Sequence, residues 1–212
     1  MEKKYKLRED LTKEFYGKTL YRIEALRDFG DVAKGELGGY IGKEKNLSHD
    51  GDAEVWDNAE VCGNAQVYGD AQVCGNAQVY GDAQVCGNAQ VCGDAQVCGD
   101  AQVCGNAQVY GNAVICGDAE VCGDAEVCGN AVICGDAVIT KTSDYYVGKN
   151  TWSSGRYFTY TRSNKMWKVG CFYGTGEELI EKAYKDSEVS GREYKRIVEY
   201  VEAMYNDLEN VK

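Results

Sequence analysis

The stretch GNAQVYGDAQVCGNAQVY, residues 63–80, says one six-residue phrase three times, and the phrase persists to residue 140. An aliphatic residue occupies every sixth position from Val55 to Ile139, and alanine stands two residues before each, from Ala53 to Ala137, without exception. A helix cannot use a period of six, because it drifts around the 3.6-residue turn. Short strands can: residues two apart point to one side, so alanine and valine face inward together. Gly-Asn and Gly-Asp pairs then turn the corners, since these residue types tolerate positive φ; the pattern breaks only at Asp57-Asn58. A short, strict period of this kind specifies a solenoid.

The phrase Val-x-Gly-Asn/Asp-Ala-x resembles the hexapeptide repeat of left-handed parallel β-helices. The resemblance implies a mainly β fold in which three phrases make one triangular coil, with about five coils over residues 46–140. Residues 18 apart then stack on one face. After each inward aliphatic residue comes an outward one: Trp56, Cys74, Cys92, Tyr110 and Cys128 on the first face, Cys62, Tyr80, Cys98, Cys116 and Cys134 on the second, Tyr68, Cys86, Cys104 and Cys122 on the third. The thiols form ladders. Zinc wants four converging ligands, whereas a ladder presents a line, so no metal and no cofactor is assigned here. Asp82, Asp100, Asp118 and Asp136 stack along one corner and are read as solvated. The position before the aliphatic residue is Gln or Glu except at Val114, Val132 and Val138, an outward apolar patch expected to be covered by the C-terminal segment or by another subunit of a homo-oligomer.

Charge divides by region. Residues 53–140 carry 12 carboxylates and neither lysine nor arginine, while residues 1–52 hold 11 basic and 11 acidic side chains and residues 141–212 hold 12 basic and 11 acidic. The net charge of −11 therefore sits on the repeat, which should repel nucleic acid. The charged opening MEKKYKLRED lacks a signal-peptide pattern and no apolar run reaches membrane-spanning length; with 11 cysteines this points to a reducing, cytoplasmic setting and no membrane partner.

Residues 1–45 read as a small β cap, with strands in KYKLRED and KTLYRIEALRDF before the glycine-rich KGELGGYIG. Residues 141–212 read as an α+β module: two or three antiparallel strands, then two helices opened by capping boxes at Thr175/Glu178 and Ser190/Glu193, the second with an apolar face of Ile197, Val201, Met204 and Leu208. Strand alternation puts Arg156, Phe158, Tyr160 and Arg162 on one side; with Trp152 and Trp167 they offer an aromatic, cationic surface for a planar base and a phosphate. The same aromatics also suit the core of a small module.

Hexapeptide β-helices are often trimeric acyltransferases that use a histidine general base. This chain has one histidine, His49, at an inward position near the N-terminal cap, and its rod has no basic residue for coenzyme A phosphates, so no catalytic residue and no enzyme activity is assigned. The cap, the rod and the WSSGRYFTYTRSNKMWKVGCFYGTGEELI ending together look like small proteins of phages and mobile elements of anaerobic bacteria. That likeness implies a non-catalytic protein sequestering a nucleotide-like ligand or a host defence protein, with an architectural oligomer and an acyltransferase as alternatives.

Overall fold

The computed structural model describes residues 2–210 and is built around a parallel β-solenoid. Fifteen two-residue strands, β4 (Glu54–Val55) to β18 (Val138–Ile139), follow at the six-residue interval. They collect into three parallel sheets, each joining strands three apart in the chain, in register: Val79 pairs with Val97, and Val97 with Ile115. Ala53 to Ala137 and Val55 to Ile139 form one continuous buried core, most of them fully excluded from solvent. The cysteines and tyrosines between them face outward, and all 11 cysteines are free thiols.

Corners show why glycine recurs. Gly99 turns at φ +74, and a Cβ there would stand 2.9 Å from the carbonyl oxygen of Gly117 in the next coil. At the one broken corner Asp57 takes φ 57, a region that aspartate tolerates, and its carboxylate accepts from the Gly75 N–H at 3.3 Å. Amide–carboxylate bonds such as Asn64 to Asp82 (3.0 Å) and Asn76 to Asp94 (3.0 Å) run along the corners.

The rod has about six turns, one more than the period alone marks out. The N-terminal strands β1 (Tyr5–Phe15), β2 (Lys18–Ala25) and β3 (Leu37–Ile41) are antiparallel to one another, but β3 pairs parallel with Glu60–Val61 and so begins the longest sheet of the rod. Leu47 bridges Val67 and completes this first turn. The open lower edge meets donors: Lys4 Nζ bonds the carbonyls of Gly51 (3.2 Å) and Ala53 (2.7 Å), and the Asn46 amide bonds those of Gly63 (3.3 Å) and Ala65 (2.8 Å).

At the other end lie β19 (Tyr145–Lys149), β20 (Tyr157–Thr161), β21 (Met166–Val169) and β22 (Phe172–Gly174), a four-stranded antiparallel meander, then α1 (Gly176–Asp186) and α2 (Glu188–Asn210). Thr175 caps α1 through a capping box. The second cap differs from expectation: α2 opens two residues before Ser190, and Ser187 Oγ accepts the Ser190 N–H at 3.1 Å. The buried stripe of α2 is Tyr194, Val198, Val201 and Tyr205, with Ile197 and Met204 at its margin and Leu208 exposed. The sheet is a middle layer. Tyr145 and Val147 pack on the rod core, while Phe158, Tyr160 and Trp167 pack under the helices. No helix among the described residues is long and apolar enough to cross a membrane.

Candidate functional site

A cavity of about 320 Å³ opens where the turn after β19 meets both helices, lined by Asn150, Ser153, Ser154 and Arg156 from the turn and by Lys182, Asp186, Ser187, Ser190 and Tyr194 from the helices, with Phe172 on the sheet side. The turn is held by its own bonds: Asn150 Oδ1 accepts the Ser153 N–H (2.9 Å), and its amide donates to Ser153 Oγ (2.8 Å) and to the Tyr194 hydroxyl (3.0 Å). Asn150 is buried, so this network is rigid as well as polar. Burial pushes the Tyr194 hydroxyl above its ordinary range, against the Asn150 bond and the nearby Arg156 charge. Arg156 and Lys182 are exposed at the mouth, and among the described residues neither is in an ion pair.

The structure separates the residues that the sequence singled out. Phe158 (2% exposed), Tyr160 (3%) and Trp167 (0%) are core, and Trp167 Nε1 donates to Glu202 at 3.1 Å. Their rings are closed to a ligand, because α1 and α2 cover the face that alternation assigned to them. Arg162 lies half-buried at the other end of β20, over the Tyr205 ring at 5.9 Å. Trp152 is half-buried, edge-on to Tyr194 at 5.1 Å, and its buried Nε1 has no hydrogen-bond partner among the described residues. Only Arg156 of the six lines the cavity. Lys182, Asp186, Ser187 and Tyr194 escaped the sequence reading, which named Ser190 only as a helix cap; the one pointer to the site was the Asn-Thr-Trp-Ser-Ser-Gly-Arg turn before β20.

Of the patch residues, Val114 and Val132 are half-buried, and the Val132 N–H donates to Thr159 Oγ1 at 3.0 Å. Val138 is 40% exposed. His49 packs on the N-terminal cap with its ring 4.4 Å from that of Tyr5, and its Nδ1 accepts the Lys4 N–H. Grooves flank that cap too. One of about 480 Å³ between Arg22 and Trp56 carries Asp31, Glu36, Glu54 and Asp57, four carboxylates to one guanidinium, and so repels anions.

The thiol ladders carry a pH signature. Burial pushes the Cys74 thiol up to about 12 and Cys122 up to about 11, and raises Cys98 and Cys104. Tyr145, by burial, and Tyr68, by its bond to Cys86, reach about 12. An acid whose folded pKa is raised keeps its proton in the rod after the unfolded chain has lost it, so this stability is whole below about pH 9 and is lost as pH climbs through 11–12. Lys4, lowered to about 8 by burial, works the other way between pH 8 and 10.5, but as a single group. The expected result is a fall in unfolding free energy between pH 8.5 and 11. Denaturant midpoints across that window check it, and a rising midpoint counts against buried thiols.

No curated protein matches the chain. Residues 71–87, 83–99 and 101–117 each match the YdcK beta solenoid repeat. These three segments lie wholly within the rod; its repeat is of the YdcK type, and the chain is a β-solenoid repeat protein of about six turns.

Proposed function

We propose that the protein binds, without transforming, a small phosphate-bearing ligand of nucleotide type in the cavity between the 150–156 turn and the two helices. The observation that carries this reading is the pair Arg156 and Lys182 lining a cavity that sets hydroxyls and an ordered amide beside an apolar floor of Val169, Phe172, Leu179 and Ala183. A guanidinium and an ammonium converging on one volume suit a phosphate, Arg by bidentate bonds and Lys as a point charge. Phe172 supplies aromatic surface for a base, and Asp186 an acceptor for ribose hydroxyls. Sequestration rather than catalysis is supported by the placement of the sole histidine, His49, on the cap at the opposite end of the rod, away from every lining serine.

In the phage or mobile-element setting that the sequence likeness implies, such binding would withdraw a host nucleotide signal from solution. A second reading, an architectural homo-oligomer, draws on the exposed Val138 and on Tyr200 (62% exposed) and Leu208 (52%) of α2. Native mass spectrometry of protein from its own host reads both properties together, a retained ligand mass and subunit number. Calorimetric titration with nucleotides is then expected to give binding that Arg156→Ala and Lys182→Ala each weaken about 10- to 100-fold, the worth of a charge-assisted hydrogen bond. No retained mass together with no nucleotide binding would sink the reading.

A further inference from the structure

A ladder of thiols presents a line, and a line holds a tetrahedral ion poorly. At one rung a third donor stands off the line. We propose that Cys104, Glu120 and Cys122 form a binding site for a single borderline-soft divalent cation of the zinc type on the outer surface of the rod.

The pairing of Gln102 with Glu120 and of Val103 with Val121 sets Cys104 and Cys122 on neighbouring rungs of one sheet. Glu120 precedes Cys122 by two residues, so both side chains leave the strand on the same outward side. The two sulfurs and a Glu120 carboxylate oxygen all lie within 4.8 Å of one another, and all three residues are half-buried. Zinc takes thiolate at about 2.3 Å and carboxylate oxygen at about 2.0–2.2 Å, which places tetrahedral donors roughly 3.8 Å apart. Small side-chain rotations close that gap, and the fourth position faces water.

The combination occurs once in the repeat. Elsewhere the residue two before an outward cysteine is Gln, as at Gln84, Gln96 and Gln102, or Val, as at Val114 and Val132. Glu60 and Glu126 also precede cysteines, but the rung-mates of Cys62 and Cys128 in the rod are Tyr80 and Tyr110, which bring no second thiol. The surroundings favour a cation: residues 53–140 hold 12 carboxylates and no lysine or arginine to compete for them. Two thiolates and a carboxylate are a donor set that selects zinc-type ions over magnesium or calcium. As each sulfur–metal bond forms its S–H bond breaks and the proton passes to water, two protons for each ion bound. With three protein donors and a core that is complete without metal, the site is exchangeable, not one on which folding depends.

The test is titration of the reduced, full-length protein with Co(II) alone, under exclusion of air, followed by displacement with Zn(II). The expected result is a tight first equivalent with thiolate-to-cobalt charge-transfer absorption that Zn(II) removes. Cys104→Ser and Cys122→Ser each take away that intensity, while Cys92→Ser, on another face, leaves it intact. Glu120→Gln keeps both thiols and weakens binding on the order of 10- to 100-fold, at least the loss seen when a ligand's supporting partner is removed. The proposal is overturned by absence of the charge-transfer band, by a band that survives both serine variants, or by unchanged affinity in Glu120→Gln. Unfolding curves of the same variants are expected to overlay the parent's, since all three side chains point away from the core.

Discussion

Val97→Asp is expected to abolish the folded rod. Val97 is fully buried at the middle of the longest sheet, with Val79 and Ile115 in register on either side. Its surroundings are alanine and aliphatic side chains, and the inward face offers no donor to a carboxylate. Burying an ion there costs several kcal/mol even after relaxation, against a net stability of about 5–15 kcal/mol for a whole domain. Solenoid geometry sharpens the effect, because each coil touches only its neighbours and one failed coil parts the stack in two. The measurements are soluble yield and the cooperativity of denaturant unfolding, with Val97→Ala as the companion. Loss of two methyl groups costs about 1.6 kcal/mol by transfer and somewhat more with the cavity left behind, so that variant is expected to fold with a lowered midpoint. A parent-like midpoint in Val97→Asp would falsify the inward placement of the aliphatic column.

The rod was legible because its period leaves no other assignment. Every alanine and aliphatic residue of the phrase is inward, and the three outward columns from Trp56, Cys62 and Tyr68 follow the three sheets. The additional turn was legible only in part: the phase reaches back to Leu47 but puts it in an alanine slot, whereas the structure bridges it to Val67 in the aliphatic one, and Ile41 comes from a stretch without the phrase. Its signal lay in the glycines of KGELGGYIG, read only as part of the β cap. A Cβ on Gly38 would stand 2.5 Å from the Val55 carbonyl oxygen, and one on Gly39 2.7 Å from that of Ala59. Those glycines let β3 lie against the coil above. In the C-terminal module alternation gave the two faces of β20 correctly, yet alternation cannot say what covers them. Thr159 is buried toward the rod and Phe158 toward the helices, so of the two uses the aromatics suit, ligand surface and module core, the structure has the core. The cavity was hidden for the same reason, since five of its polar residues are brought in by helix docking.

A chain ending at Thr140 is expected to assemble through its bare end. The last coil leaves backbone groups that no further coil satisfies, and the C-terminal module meets them with hydroxyls, which both donate and accept. The Cys128 N–H donates to the Tyr145 hydroxyl (3.3 Å), which in turn donates to the Glu126 carbonyl (3.2 Å); the Val138 N–H donates to Ser163 Oγ (2.8 Å); the Cys134 carbonyl accepts from the Tyr173 hydroxyl (3.2 Å). Asp144 adds a carboxylate that accepts from the Thr140 and Lys141 N–H groups at 2.8 and 3.1 Å. Without residues 141–212 these groups form an open strand edge beside Val114, Val132 and the end of the apolar core, a template for pairing with another chain. Thr159→Val in the intact chain isolates the hydrogen-bonding part: it leaves the Val132 N–H unpaired and costs about 1–3 kcal/mol, without association, because the sheet still covers the end. Sedimentation velocity across a concentration series separates the two variants. The truncated chain is expected to shift to large species as concentration rises, whereas Thr159→Val sediments as the parent does. A truncated chain that stays monodisperse would mean that the hydroxyl cap supplies stability alone and does not guard the edge.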